Sequence, residues 1–210
     1  MATKKSTEVA PKEITTSIHF KTISFPIVGV SSLIMSKFSE KAKQQIQEIG
    51  EAEKGLKQGG KKKAIADPEQ QYANSIYYLS DGKRYGFPAL AFKMAMVDAA
   101  YRIYGRKMTD TKAAFRVLPD DYDTGLVEIH GTPRMREDMV RVGTINKVAS
   151  PRYRAEFPNW SAVITIKFIE DVITEEMLLG LLNTAGFSCG VGEWRPQRDG
   201  DHGMWEIANE

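Results

Sequence analysis

The sequence is poor in cysteine and has no long apolar run. Its 210 residues include one cysteine, Cys189, which excludes an intrachain disulfide and any metal site built from several cysteines. No apolar stretch is long enough to span a bilayer, and no signal-peptide hydrophobic region lies near the amino terminus. We therefore expect a protein of a reducing cytosol without a membrane partner, in which Cys189 is a small buried residue.

Histidine is also scarce, which leaves little basis for catalysis. The three histidines, His19, His130 and His202, are scattered, and neither an HExxH motif nor a nucleophile elbow is present. No carboxylates and histidines have the spacing of metal ligands. The sequence therefore predicts no metal and no cofactor, and it offers one candidate catalytic residue, His202.

The chain carries no large charge of either sign. Its formal net charge is +2, with 42% hydrophobic and 27% charged residues, which is typical of a soluble globular protein. Binding of nucleic acid through overall charge is excluded, so such a function requires local basic patches.

Two local basic patches are present. The first follows Gly59 and Gly60 and consists of three lysines, Lys61, Lys62 and Lys63. It fits either a solvated surface or an arm that follows a phosphate backbone. The second has arginines alternating with apolar residues, which would place a cationic face on a sheet for bidentate phosphate contacts. Its arginines are Arg134, Arg136, Arg141, Arg152 and Arg154.

Hydrophobic periodicity predicts an α+β protein. Residues 1–12 are polar and expected to be disordered, and residues 13–210 are expected to form one domain with a flexible lysine- and glycine-rich insertion at about 53–67. Alternating apolar residues predict a strand from Trp160 to Ile169, and Thr174 is positioned to cap the helix that follows. A last strand is predicted from Met204 to Ala208.

The remaining elements suggest a second, similar half. The sequence predicts strands from Ile14 onward, a helix capped by Ser39, and a short helix from Asp67 to about Tyr78. Cys189 is expected at the start of a strand. A strong helix follows Pro88, and its predicted core stripe is Leu90, Met94, Val97 and Tyr101. Together these elements predict a ferredoxin-like, RRM-like antiparallel sheet with helices on one face and inserted arms.

A glycine-framed loop precedes the last strand. Its glycines bracket Trp194, Arg195 and Arg198, giving a cationic, aromatic loop. The loop is not a dinucleotide fingerprint, because a strand rather than a helix follows the glycines. It fits a long hairpin with ordinary turn glycines equally well, and Trp194 fits either a stacking platform or a core anchor. The glycines are Gly190, Gly192, Gly200 and Gly203.

The loop, with GVG early and DGDHGMWEI late, resembles the signature loop of the RAMP-type RNA-binding proteins of CRISPR effectors, and GVSSLIMSKFSEKA resembles their first strand-to-helix corner. The resemblance implies a modified RRM fold in which the four glycines form the loop. Some RAMP relatives cleave RNA with a histidine, which makes His202 the candidate general acid or base. Aromatics that match the RRM stacking motifs are not evident, so RNA and DNA both remain open.

The segments PRMREDMVRVG, YRAEFPNWSA and GVGEWRP are similar to those of a widespread group of bacteriophage proteins. This resemblance implies a viral protein that works in the cytoplasm of a bacterial host, in an assembly of identical subunits along nucleic acid.

Three functions follow from these features. The leading hypothesis is a non-enzymatic protein that holds the backbone phosphates of single-stranded RNA or DNA as an oligomer, with Arg195 and Arg198 among its contacts. The alternative is a phage structural or host-interaction protein, in which the arginines form ion pairs between subunits. The third is a metal-independent endoribonuclease that uses His202.

Overall fold

The structure, a computed structural model, describes residues 17–37, 67–142 and 148–208. Its strands are β1 (Phe20–Gly29), β2 (Leu33–Met35), β3 (Gly86–Pro88), β4 (Phe115–Leu118), β5 (Leu126–Glu128), β6 (His130–Gly131), β7 (Arg134–Val142), β8 (Val148–Phe157), β9 (Trp160–Ile169) and β10 (Trp205–Ile207). Its helices are α1 (Pro68–Ser75), α2 (Ala89–Arg102), α3 (Met108–Ala114) and α4 (Glu175–Ser188), with a short 3-10 helix at Pro196–Arg198. The tail predicted at 1–12, the helix after Ser39 and residues 53–66 of the predicted insertion lie outside the described residues.

The main sheet is antiparallel, with strand order β10-β1-β9-β4 and with β6 paired to one end of β9. Along the chain its strands alternate with the two longer helices as β1, α2, β4, β9, α4, β10. This succession is consistent with the β-α-β-β-α-β order of a ferredoxin-like fold. The predicted mixed architecture with antiparallel sheets is therefore confirmed.

Alternation along β9 separates the two faces of the main sheet. Ile164, Ile166 and Phe168 are buried, whereas Val163 and Lys167 of the opposite face are exposed, as the sequence predicts. Both longer helices reach the side chain of Trp205: the Phe92 ring of α2 lies 5.6 Å from it between centroids, and Gly186 of α4 packs against it. The helices therefore cover the buried face, and the other surface is called here the open sheet face.

The core stripe predicted for α2 is wrong at two of its four positions. Val97 is buried, but Leu90 is 65% exposed and Tyr101 is 55% exposed. The buried face is instead built on Phe92, Met96 and several alanines. Nearly every residue of this helix is apolar, so periodicity gives little information on its orientation, and small alanines allow the closest approach of neighbouring elements.

Helix boundaries follow local hydrogen bonding. Thr174 caps α4 as predicted, since its hydroxyl accepts from the Met177 N–H at 3.3 Å. Helix α1 ends at Ser75 rather than near Tyr78, because Ile76 has an extended backbone with φ of −86° and ψ of 139°. The Ser75 hydroxyl accepts from the Ala155 N–H of β8 at 2.8 Å. Cys189 ends α4 rather than starting a strand, and burial raises the pKa of its thiol. No helix among the described residues is both long and apolar enough to cross a membrane.

A second sheet, ordered β2-β8-β7, lies beside the loop at 190–203, called here the glycine loop. The loop is attached to this sheet through backbone hydrogen bonds: Glu193 N–H donates to Ile34 C=O at 3.0 Å, and Gly203 N–H donates to Ser32 C=O at 2.8 Å. These bonds place the glycine loop next to the hairpin formed by β7 and β8.

Candidate nucleic-acid interface

The glycine loop closes on itself in a way that requires glycine. Gly203 has φ of 67°, and a Cβ at this position would overlap the carbonyl oxygen of Val191, whose N–H donates to Gly203 C=O at 2.9 Å. Gly200 is needed for close approach instead, since a Cβ there would overlap the Trp194 carbonyl. Gly190 and Gly192 also have positive φ, of 63° and 82°. The result is a compact loop that presents Trp194 and His202 beside each other.

Arg195 braces this loop against α2. Its Nε donates to Gln197 Oε1 at 2.8 Å, and its Nη1 donates to Gly192 C=O at 2.8 Å. Gln197 Nε2 in turn donates to Asp98 Oδ2 at 2.9 Å. Two N–H groups of Arg195 therefore donate to other groups of the protein, whereas Arg198 at the end of the 3-10 helix is exposed.

Pairing between β7 and β8 brings four arginines onto one surface, called here the arginine face. In the register, Arg134 lies opposite Glu156, Arg136 opposite Arg154, and Asp138 opposite Arg152. Residues directly opposite each other in an antiparallel pair share a face, as do residues two apart along a strand. For Arg141 only the backbone is described, paired with Ala149. Lys61, Lys62 and Lys63 lie outside the described residues.

Two buried carboxylates hold Arg134 and Arg136 in place. Glu156 accepts from Arg134 Nε at 2.8 Å and from Arg136 Nη1 at 3.0 Å, and Asp138 accepts from Arg136 Nε at 2.9 Å. The Arg154 Nη1 atom lies 3.9 Å from Asp138 Oδ2. Four guanidinium groups against two carboxylates leave an excess of two positive charges on this face.

Hydrogen bonds in this network keep Glu156 and Arg136 charged despite burial. Burial acts to raise the pKa of Glu156, but the hydrogen bonds from Arg134, Ser32 and Arg136 outweigh it, so the pKa lies below its usual value of 4.5. Burial likewise opposes the charge of Arg136, but its bonds to Asp138 and Glu156 outweigh burial and raise its pKa further above its ordinary value. Glu156 is therefore an anion and Arg136 a cation at neutral pH.

His202 joins the glycine loop to this network through Ser32. The Ser32 hydroxyl donates to Glu156 Oε1 at 2.9 Å, so its single hydrogen is committed. The contact of 2.9 Å between Ser32 Oγ and His202 Nδ1 must then have the imidazole as donor. In the neutral ring the proton is consequently on Nδ1, and Nε2 is left as an acceptor.

The Trp194 ring lies beside Arg136 and His202. Its side chain is 42% exposed, the Arg136 guanidinium lies 5.8 Å from its ring centre, and the His202 ring lies 6.4 Å away. A guanidinium at that distance from an indole face is a cation–π contact. An exposed indole beside a cationic surface can stack a nucleobase while the arginines contact phosphates.

Sequence reasoning found the arginines and the loop but missed the groups that organise them. Ser32, Asp138 and Glu156 were not identified, although the proximity of the last two residues to the arginines was visible in the sequence. Ser32 and His202 are 170 positions apart, and only the fold brings them together. Among the described residues, no group of three or more His, Cys, Asp or Glu could hold a metal ion.

Comparison with known proteins gives the fold. No protein-family model and no curated protein matches the sequence. A chain of the "Cryo-EM structure of the Type III-B Cmr-beta bound to cognate target RNA" is similar with a TM-score of 0.51 and 10% identity, over 90% of this chain and 59% of that chain. The "Crystal structure of Cmr6 from Pyrococcus furiosus" is similar with a TM-score of 0.43 and 10% identity, over 91% of this chain and 100% of that chain. These neighbours are RAMP-type proteins, and the first likeness shows the fold alone.

Proposed function

We propose that this protein binds single-stranded nucleic acid, RNA in the first place, across the arginine face and the outer side of the glycine loop. The observation that carries the proposal is the exposed Trp194 ring, 5.8 Å from the Arg136 guanidinium at the edge of a surface with excess positive charge. Proteins that hold single strands without base readout combine these two features, an aromatic platform and a cationic track.

The arginines divide the work by exposure. Arg134 and Arg152 are exposed and are the residues available to phosphate oxygens. Arg136 and Arg154 are mostly buried, and their role is to hold the indole and the carboxylates in position. Arg195 acts inside the loop, and Arg198 extends the cationic surface at its outer end.

The choice of RNA rests on the fold. The Cmr-beta neighbour is described as bound to cognate target RNA, although this chain spans only 59% of that chain's length. Assembly with further subunits, self-association and a phage origin are parts of the same proposal and rest on the resemblance in sequence motifs. No catalytic step is needed for this function.

A second candidate function is cleavage of RNA by His202. The Nδ1–H tautomer leaves Nε2 to take the proton of a ribose 2′-hydroxyl. The 2′-oxygen would then bond to the neighbouring phosphorus while the bond from phosphorus to the 5′-oxygen breaks, and the leaving 5′-oxygen would take a proton from water. The other two histidines lie elsewhere, His19 beside Asp171 and His130 beside Glu128. Cleavage without added metal, lost in His202→Ala, would establish this function.

Titration of labelled 12-mers of single-stranded RNA and DNA tests the leading function. Fluorescence anisotropy at several salt concentrations should show RNA binding. The logarithm of the binding constant should fall linearly as the logarithm of the salt concentration rises. An affinity that does not change with salt concentration, or the absence of binding to both RNA and DNA, would refute the proposal. The alternative, a phage structural or host-interaction protein, would then remain. Unlabelled duplex of the same sequence serves as the competitor control.

A further inference from the structure

A recess lies beside the glycine loop. It has a volume of about 240 Å³ and lies between the loop and α2; it is called here the loop cleft. Its floor is apolar, formed by Ala91, Ala95 and Val191. Its size is below the ~300 to 1,000 Å³ of ordinary ligand pockets, so it suits one small planar group rather than a whole cofactor.

One wall of the loop cleft is aromatic and ordered. The Tyr77 ring packs edge-on against Phe87, with 5.7 Å between centroids and 72° between planes. The Lys37 ammonium lies 5.9 Å from the Tyr77 ring centre, on a residue that is exposed. A flat guest in the cleft would thus find a ring to pack on, and the ammonium beside that ring is a cation for a phosphate.

The other wall supplies both kinds of hydrogen-bonding group. Arg195 and Gln197 line the cleft, and both are held by the bonds that brace the loop, so their remaining N–H groups have a fixed direction. Glu193 adds carboxylate acceptors on the same wall. Donors and acceptors around an aromatic slot match the edge of a nucleobase, which carries both.

Strand β2 connects the loop cleft to the interface. Ser32, just before β2, contacts His202 at the arginine face, and Ser36, just after it, lines the cleft. Four residues of extended chain separate them by about 13 Å. A strand held on the arginine face therefore needs only a short excursion around the loop to reach the cleft.

We infer that the loop cleft receives one unpaired base of the bound strand, inserted against Tyr77 and read at its edge by Glu193, Arg195 and Gln197. This inference rests on the proposed function. It adds a base-selective subsite to an interface that otherwise contacts backbone and stacks bases without discrimination. The preference at one position of the strand is then set in the cleft, and overall affinity is set at the arginine face.

The test fills the cleft from its floor. Ala91→Trp places an indole in the loop cleft. Leu90→Trp is the matched control, because Leu90 belongs to the same helix and is 65% exposed. Anisotropy with 12-mers of adenosine, cytidine and uridine should show at least a fivefold spread of affinity for the native protein and for Leu90→Trp. The spread should fall below twofold in Ala91→Trp, with an unchanged salt dependence.

Two results overturn the inference separately from the proposed function. If the native protein binds all three strands equally, or if Ala91→Trp keeps the spread, the cleft is not a base site although the interface stands. If no strand binds, both fail. Cross-linking of 5-iodouracil RNA to the native chain needs no variant: adducts in the peptide that contains Tyr77 are expected, and adducts confined to Trp194 would contradict the cleft.

Discussion

The open sheet face and the arginine face are both exposed antiparallel surfaces, yet they are built differently. On the open sheet face, polar groups pair locally: the Ser24 and Thr165 hydroxyls share a hydrogen bond of 2.9 Å, and the Lys167 ammonium lies 5.0 Å from the Phe20 ring. On the arginine face, guanidinium groups surround the buried carboxylates of Asp138 and Glu156. On the arginine face, Arg134 and Arg136 are held by buried carboxylates, whereas Arg116 on the open sheet face, opposite Lys167, donates to the carbonyl of its neighbour Phe115.

That difference supports the placement of the proposed binding surface on the arginine face. Buried ion pairs contribute little net stability, because the loss of hydration offsets the attraction. The network around Glu156 is therefore better explained by what it positions than by what it stabilises. Standard RRM proteins stack bases on the sheet itself. In the proposed function the stacking platform, Trp194, belongs instead to the glycine loop, and the main sheet is a scaffold.

The largest expected effect comes from breaking the loop that carries this platform. Gly203→Ala introduces a side chain at φ of 67° and against the Val191 carbonyl, so the loop must rearrange. We expect a destabilisation of about 1–3 kcal/mol and at least a tenfold loss of RNA affinity, measured by urea unfolding and anisotropy.

Gly180→Ala in α4 is the control, because its added methyl meets no atom. It should stabilise the protein by about 1 kcal/mol and leave binding intact. A Gly203→Ala protein that binds RNA like the native chain would show that the loop conformation is unimportant.

The second effect separates the two faces by their exposed aromatic residues. Trp194→Ala removes the stacking platform and should weaken binding of single strands by about 1–3 kcal/mol per lost stack, with partial recovery in Trp194→Phe. Phe20→Ala removes the 58% exposed ring of the open sheet face and should change affinity less than twofold. The reverse order of these effects in anisotropy titrations would place the strand on the main sheet.

The third effect compares the removal of positive charge from the arginine face with its removal from the open sheet face. Replacing Arg134 and Arg152 by glutamine removes two exposed cations from the arginine face, and the slope of log affinity against log salt should become shallower by about 1.4. Lys167→Gln, on the open sheet face, should leave the slope unchanged. Equal changes in both proteins would mean that the strand does not distinguish the faces.

The smallest effect concerns the acid dependence of stability. Because the folded pKa of Glu156 is lowered, its contribution is present above the ordinary carboxyl range and is lost as the pH falls through the folded pKa. Native protein should therefore be more stable than Glu156→Gln at pH 7 in urea unfolding, and the difference should narrow toward pH 3. A difference independent of pH would show that the carboxylate charge is not involved.

Much of the fold could be predicted from local patterns. The alternation of buried and exposed residues along β9 and the capping of α4 by the Thr174 hydroxyl depend on neighbouring residues alone. Both predictions are confirmed. The orientation of α2 could not be predicted, because its residues are nearly all apolar and the choice among them depends on packing partners. Leu90 and Tyr101 are exposed for that reason.

The candidate site was predictable only in part. The cationic and aromatic residues were visible, since their chemistry does not depend on neighbours. Their pairing was not, because the Ser32 contact with Glu156 joins residues 124 positions apart. Burial of Glu156 turns what would be a surface charge into the anchor of the arginines, and burial is a property of the folded chain.

Hydroxyl-radical footprinting of the native protein, with and without single-stranded RNA, tests the central claim most directly. The method reports side-chain accessibility residue by residue, and it requires no substitution. The account predicts that RNA protects Trp194 and His202 and leaves Phe20 and Val163 of the open sheet face as reactive as before. Protection of Phe20 and Val163 with Trp194 unchanged would contradict it.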